Sequence, residues 1–479
     1  MNHVTLSSEV PRDPPPTKAV PFAASAATGR LFFFAALFFL AEVLLALSTY
    51  VARRWQWSAL LLLCVLGLIC SVMIARRRGA LAVTANRVLL CVVLTRLPAL
   101  FALPLFDDDY FRFLWDGQQL LSGLSPYATA PAAYFSHSLA DPVWEAVLSG
   151  INHPDVPTIY GPSLQALFTV ATFFGGASPL PLKAIFVGAD VLLVALLLRA
   201  GAAPWLTLLY VLNPLAIKEI GFSLHPDGLI ALGLTLATLA LHRQQRLLAA
   251  ACVAFVACAK LPLLLLGAAL NVESRLHRQV MLGGALIALC AYLPFLFPDP
   301  AQPFVGLRAF ADGWRYNALG FHLFEWFAGA QARLWLAAFY ATCALAVTYS
   351  VARSGLGSAT AMLLMLALLL LTAPTVNPWY WLMVLPLAIV AFHQDRVLLV
   401  TPWIGSFALL LGYATGLSAV ELGLSPDGNA VSAEFSVLPV ATIAQASIMA
   451  CAGAYDFFKN VSGRSRLSRH RVHSSRTSS

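Results

Sequence analysis

Apolar residues run along this chain in long unbroken stretches, without the spacing of a half-buried helix or strand. Stretches 31–50, 57–75, 88–106, 281–297 and 334–351 are nearly free of charge. Each approaches the ~20 residues that an α-helix needs to cross a bilayer. No ten-residue alternation of polar and apolar positions points to a β-barrel. The pattern predicts an all-α, polytopic transmembrane bundle of about 12–14 membrane segments, some short or broken. Two stretches are expected to be such exceptions. Segment 161–174 has about fourteen residues before Gly175-Gly176, too few to span at ~1.5 Å per residue. Segment 261–270 follows Lys260-Leu261-Pro262, where proline breaks or kinks a helix. Irregular backbone at membrane depth is tolerated where it faces a cavity, so both are read as walls of one.

Composition agrees. Of 479 residues, 59% are hydrophobic and only 11% charged, with a mean hydropathy of +0.78. Soluble domains carry about a quarter charged residues, so a soluble enzyme is excluded. Residues 1–30 are polar and rich in Pro, Ser and Ala, and read as a disordered cytoplasmic tail. The first apolar run starts late and is long, which suits an anchor better than a cleaved signal. Residues 31–460 are expected to form a single transmembrane domain, and 461–479 a basic cytoplasmic tail that touches anionic lipid. The net charge of +8 is then a topology signal and does not point to nucleic acid. Eight cysteines without a CxxC pair read as small core residues, with no disulfide framework or metal site.

Lys and Arg gather on the cytoplasmic side of membrane proteins. Placing Arg76-Arg77-Arg78, Arg243, Arg246, Arg275 and Arg278 inside puts segment 107–160 outside. Arg53-Arg54 break the rule in this arrangement. The remaining polar stretches, 213–227, Lys260, 298–329, 372–380 and 416–435, then share the outer side and face one cavity. The site would lie at the outer, periplasmic face of a bacterial inner membrane.

The outer segment opens on Asp107-Asp108-Asp109-Tyr110-Phe111-Arg112-Phe113-Leu114-Trp115-Asp116-Gly117. Four carboxylates and one arginine next to hydrocarbon are costly, which makes them a functional candidate. Three adjacent carboxylates repel one another and raise at least one pKa, which suits a proton acceptor and a cation site equally. The plainer reading is an N-cap, where Asp is common. Arg112 falls on the same helical face as Asp108, Asp109 and Asp116, and can pair with a carboxylate or bind phosphate. Glu42, Arg96, Lys183 and Asp190 lie in apolar segments and are expected to pair between helices.

Residues 108–117, followed by Gly123-Leu124-Ser125-Pro126-Tyr127, resemble the first-loop signature of GT-C superfamily glycosyltransferases. The pattern is that of bacterial polyprenyl-phosphate-mannose-dependent mannosyltransferases of the glycosyltransferase family 87 type, S-D-D-x-Y-R-Y-L-W-D-G and then G-x-N-P-Y. Asp107 stands for the serine and Ser125 for the asparagine. Further matches follow in order: Pro157-Thr158-Ile159-Tyr160-Gly161-Pro162, Asn213-Pro214-Leu215-Ala216-Ile217-Lys218-Glu219, Leu224-His225-Pro226-Asp227-Gly228-Leu229, Lys260-Leu261-Pro262 and Asn377-Pro378-Trp379-Tyr380-Trp381. Pro226 replaces an asparagine of the family's H-N-D.

The resemblance implies an inverting transfer of a sugar, mannose first, from a polyprenyl-phosphate donor to a hydroxyl of a glycolipid or polysaccharide. A carboxylate must take the hydroxyl proton, and cations or donors must hold the departing phosphate. Asp108 is the candidate base and Asp109 the second choice. Substrate-binding candidates are Arg112, Asp116, Tyr160, His225, Asp227, Lys260, Asn317, Trp379 and Tyr380. A divalent cation, Mg or Mn, is compatible with the acidic cluster but not required by it. The alternative is a transporter or lipid flippase that uses the cluster as an ion or proton site. Transporters favour internal repeats and midplane sites, and this sequence shows neither. An inactive relative with an assembly role is a third reading.

Overall fold

The computed structural model describes residues 22–51, 53–77, 81, 83–136, 141–269, 274–297, 299–354, 357–395, 400–410 and 413. Among these residues the chain is helical, apart from one isolated bridge between Tyr316 and Thr375. Helices α1 (Phe22–Ser48) and α2 (Arg53–Arg77) pack as a hairpin. Phe38, Leu45, Leu63 and Cys70 turn inward and are buried, while Phe33, Leu40, Leu61 and Leu68 stay exposed. Helices that are apolar all round suit protein on one side and lipid on the other. Helix α1 starts at Phe22, so 22–30 of the expected tail is helical. The basic tail 461–479 and the outer stretch 416–435 lie outside the described residues.

Among the described residues, five helical stretches are long and apolar enough to cross a membrane: Thr28–Ser48, Trp55–Arg77, Leu180–Arg199, Arg275–Phe295 and Gly320–Ser350. A further span is Pro214–Phe222 joined to Asp227–His242, bent by 114° between its halves. Shorter apolar helices fill the space between them. The chain is therefore a multi-pass integral membrane protein, the polytopic helical bundle that its apolar pattern predicts.

Helix α3 (Ala85–Phe101) leads into the acidic segment, which is folded and not a loose loop. It holds α4 (Asp109–Leu121) and α5 (Pro142–Ser149), and ends at α6 (Pro162–Gly175). Then come α7 (Leu180–Arg199), α8 (Pro204–Val211) and α9 (Pro214–Ile217). Helices α5, α6, α8 and α9 each open on proline, whose missing N–H is no loss at a first helical position. Helix α9 runs into a π-helical turn, Lys218–Phe222. Such turns are rare and cluster at functional sites. Helices α10 (Asp227–His242) and α11 (Arg246–Ala259) follow, and α11 stops at Lys260. Leu261–Ala269 continues as a 3-10 helix, so the break expected at Lys260-Leu261-Pro262 is present. Helix α12 (Arg275–Tyr292) packs along α11. The remainder is α13 (Val305–Gly313), α14 (Leu319–Ala328), α15 (Ala332–Ser354), α16 (Ser358–Thr372), a 3-10 turn Pro378–Met383, α17 (Val384–Asp395) and α18 (Thr401–Leu410).

Two glycines set the approach of α6 to its neighbours. A Cβ on Gly117 of α4 would lie 2.6 Å from the Phe168 carbonyl oxygen. A Cβ on Gly161 would lie 1.8 Å from the Cys258 carbonyl oxygen. Helix α6 is thereby clamped between α4 and α11, directly below the acidic segment.

Three of the four charges inside the apolar segments, Arg96, Lys183 and Asp190, bond between helices, and Glu42 does not. Arg96 of α3 bonds Asp190 of α7 at 2.8 Å and the Val211 carbonyl at 3.0 Å, and the Tyr210 hydroxyl donates to Asp190. Lys183 donates to the Ala99 and Ala102 carbonyls, both at 2.7 Å, and so caps the orphan acceptors at the end of α3. Glu42 is buried with neither carboxyl oxygen hydrogen-bonded. Removing one partner of a buried pair leaves an uncompensated charge, at ~3–5 kcal/mol. Asp190→Ala should therefore lower stability by about that amount in detergent unfolding. Exposed Asp299→Ala should leave it unchanged.

Candidate active site

The three consecutive carboxylates part company as soon as α3 ends. Phe106 takes the left-handed conformation, with φ of +63°, and turns Asp107 inward. The Leu105 N–H donates to the Phe222 carbonyl at 3.0 Å, and the Ser223 hydroxyl donates to the Leu105 carbonyl at 2.8 Å. These bonds tie the acidic segment to the break between α9 and α10. Leu224, at that break, also has positive φ, +61°. Such strain in bulky residues costs ~1–3 kcal/mol and gathers at functional sites.

Asp107 accepts from Lys218 Nζ at 2.8 Å. Burial drives its carboxyl up, but Lys218 and His225 overcome this and hold it below the ordinary carboxylate range. Asp108 stands at the N-cap of α4, yet its side chain bonds no helix N–H, so the capping reading does not account for it. The Asn152 side-chain amide donates to Asp108 Oδ1 at 2.5 Å and to Asp109 Oδ1 at 3.0 Å. The Tyr160 hydroxyl donates to Asp109 Oδ2 at 2.9 Å. Both oxygens of Asp109 are thus engaged, whereas Asp108 has no second side-chain partner among the described residues. Asp108 is accessible, but the surrounding walls desolvate it enough to push its carboxyl above the ordinary range. The Asn152 bond opposes that rise and Asp109 adds to it.

Arg112 pairs with neither Asp108 nor Asp109. Its guanidinium donates to the Val156 carbonyl at 3.0 Å and the His153 carbonyl at 3.1 Å. Backbone carbonyls curl toward it because His153 has φ of +47°, and the clamp fixes the loop that presents Asn152. Asp116 is buried behind the cavity wall and accepts from Gln165 Nε2 at 2.8 Å. Phe113 stacks on Phe168, with ring centroids 4.4 Å apart. Phe113, Asp116 and Gly117 of the acidic motif therefore serve the α4–α6 contact.

From the opposite side come the residues of the break and of two later turns. His225 is held through Nδ1 by Glu219 Oε2 at 2.8 Å, and its ring lies on Trp379 at 3.7 Å and 11°. Its Nε2 is buried and bonds nothing. Lys260 bonds Asp227 at 2.7 Å and sits 3.5 Å from the centre of the Tyr380 ring. The rings of Trp379 and Tyr380, both substrate-binding candidates, lie against these two basic side chains. Asn317 has φ of +49° and turns its amide to the Val376 carbonyl at 3.1 Å, away from the cavity.

All of these elements enclose one cavity of about 1020 Å³. Of the residues singled out in the sequence, Asp108, Asp109, Arg112, Tyr160, His225, Asp227, Lys260, Trp379 and Tyr380 line it, and Asp116 and Asn317 do not. The sequence reading passed over Lys218, Glu219, Asn152 and Tyr413. Lys218-Glu219 carried a signal, as a charged pair inside an apolar run; Asn152 and Tyr413 carried none. Asp107, Glu219 and His225 bring ligand atoms within 4.8 Å of one another, a set whose oxygen and imidazole donors could hold a cation such as Mg or Mn.

Burial raises the Asp116 carboxyl from 3.8 to about 6. A carboxyl raised in the folded state favours folding below its unfolded pKa, and this contribution fades as pH rises through the folded value. The contribution is ~3 kcal/mol below about pH 4 and is lost between about pH 4 and 6. Asp116→Asn should remove that slope, so unfolding midpoints measured from pH 4 to 7 should fall more steeply for the native protein than for the variant.

Residues 22–275 match the family model described as alpha-(1->6)-mannopyranosyltransferase, N-terminal domain. No curated protein and no solved structure matches the chain. The matched part is more than half of the chain and carries the acidic motif, the π turn, His225 and Lys260. It agrees with the GT-C-like mannosyltransferase resemblance seen in the motifs. This membrane protein belongs to the alpha-(1->6)-mannopyranosyltransferase family, and is a sugar-transferring enzyme.

Proposed function

We propose that the protein transfers mannose from a polyprenyl-phosphate donor to a sugar 6-hydroxyl on a glycolipid or polysaccharide, at the outer face of the membrane, with Asp108 as the base. The observation that carries this reading is the Asp108 carboxylate. It is exposed on the wall of a large cavity, raised in pKa, and held on one oxygen only by Asn152.

Asp108 takes the proton of the acceptor hydroxyl as the oxygen attacks the anomeric carbon. The bond from that carbon to the phosphate oxygen breaks, and its electron pair leaves with the phosphate. One displacement inverts the anomeric centre, so an alpha product requires a beta-linked donor. Asp109, fixed by Asn152 and Tyr160, keeps negative charge beside the sugar as positive charge develops there. In this reading His225 Nε2 and Lys260 hold the leaving phosphate. Because Nδ1 faces the Glu219 carboxylate, Nε2 donates to an anion only as the imidazolium, a form that burial disfavours but Glu219 and Asp107 favour overall.

Two walls of the cavity suit the two substrates. Leu263, Leu264 and Leu265 of the 3-10 segment face Leu336, Ala341 and Ala344 of α15 across an apolar cleft, which fits an isoprenoid chain. Trp314, Tyr316 and Asn377 also line the cavity and offer polar and aromatic groups that fit a sugar acceptor.

Transfer from radiolabelled polyprenyl-phosphate-mannose to membrane lipid extract tests the reading. Asp108→Asn should lower turnover by ~10²–10⁴-fold, the usual worth of a general base. Because the Asp108 carboxyl is raised, the acid limb of kcat/KM should lie above the ordinary carboxylate range. Asn152→Ala, which removes the opposing bond, should move it higher still. Full transfer by folded Asp108→Asn would rule Asp108 out as the base. Lipid or ion movement in vesicles without transfer would favour the transporter alternative.

A further inference from the structure

Asp107 and His225 line the cavity, Glu219 lies behind them, and Lys218 reaches both carboxylates of the set. Lys218 Nζ is 2.8 Å from Asp107 Oδ2 and 3.3 Å from Glu219 Oε2. It contacts the same carboxylates that a metal ion would have to share. Its side chain is fully buried, and its ammonium lies 3.3 Å from the centre of the Tyr413 ring and 5.9 Å from that of Phe106. Aromatic faces of this kind hold an organic cation without supplying metal ligands.

One oxygen of each carboxylate, Glu219 Oε2 and Asp107 Oδ2, is already engaged. Glu219 Oε2 accepts from Lys218, from His225 Nδ1 at 2.8 Å and from the Tyr413 hydroxyl at 3.1 Å. Asp107 Oδ2 accepts from Lys218, and the Tyr413 hydroxyl, whose one proton is directed at the nearer Glu219 Oε2, lies 3.4 Å away. A carboxylate oxygen has about two lone-pair sites. A metal ion could bond these oxygens at ~2.1 Å only by displacing the donors and by standing against a buried ammonium.

We propose that Lys218 is the built-in cation of this site, occupying the place between Asp107 and Glu219 that a divalent metal would otherwise take. Lys218 is a positioning residue. It balances the two carboxylates, and Glu219 can then hold His225 through Nδ1 on the cavity wall. Glu219 Oε1 and His225 Nε2 are the buried polar atoms of the set that have no hydrogen-bond partner, and of these Nε2 belongs to a residue on the cavity wall. The consequence for turnover rests on the mannosyl-transfer reading, whereas the binding test below needs no substrate.

The test is Mn(II) titration of the full-length protein in lipid nanodiscs, read by EPR, with native protein, Glu219→Gln, Lys218→Met and the double variant. Native protein should show no bound Mn(II) that Glu219→Gln removes. Lys218→Met should gain one Mn(II), which the double variant loses. A merely structural lysine would not produce that gain. In the transfer assay, EDTA should leave native turnover unchanged, and Lys218→Met should lose ~10²-fold, as when a preorganised electrostatic partner is deleted. Native Mn(II) binding that depends on Glu219 would overturn the proposal. So would EDTA-abolished transfer restored by Mn(II), or a folded Lys218→Met that binds no Mn(II). If Lys218→Met does not fold, the native and Glu219→Gln titrations decide alone.

Discussion

Everything at this site follows from the cost of holding carboxylates close together beside hydrocarbon. Two like charges 4 Å apart repel by ~4 kcal/mol at an effective dielectric of about 20. Three in a row are tolerable only if each finds its own partner. The fold supplies them from separate directions: Lys218 to Asp107, Asn152 to Asp108, and Asn152 with Tyr160 to Asp109. The asymmetry decides the chemistry. Asp107 is neutralised by an ion pair, Asp109 is saturated by neutral donors, and Asp108 keeps accessible surface with one hydrogen-bonded oxygen. Of the three, Asp108 combines access to the cavity with a raised affinity for a proton.

Broken helices make this partition possible. A continuous span would carry Lys218 and His225 along its axis and away from the membrane boundary. The π turn, the 114° bend and the left-handed Leu224 instead fold the chain back so that Lys218, Glu219 and His225 all face the end of α3. The stop at Lys260 does the same for the ammonium beside Asp227. Strain at Phe106 and Leu224 is offset by the cross-segment bonds of Leu105 and Ser223, which bind the two breaks to each other.

Much of this was legible in the sequence, and the reasons for the rest are physical. Long apolar runs, the short stretch before Gly175-Gly176 and the proline after Lys260 announce a membrane bundle with interruptions, because hydrocarbon forbids any other backbone. Asp108 and Asp109 stood out for the same reason. Helical spacing puts Arg112 and Asp116 on one face with the acidic pair, but spacing does not show that backbone carbonyls at His153 and Val156 claim the arginine or that Gln165 seals the aspartate. Lys218 lies more than a hundred positions from its partner Asp107, and Asn152 is an unremarked amide in a polar segment. Pairings of that range depend on tertiary packing and leave no local periodicity to read.

The most direct test of the account is a structure by electron cryomicroscopy of the protein in lipid with a bound polyprenyl phosphate. The account predicts phosphate density within hydrogen-bonding distance of His225 Nε2 and Lys260 Nζ. The isoprenoid should run between the 261–269 segment and α15, which leaves Asp108 facing the side where an acceptor enters. Phosphate bound elsewhere, with the lipid chain outside that cleft, would contradict it.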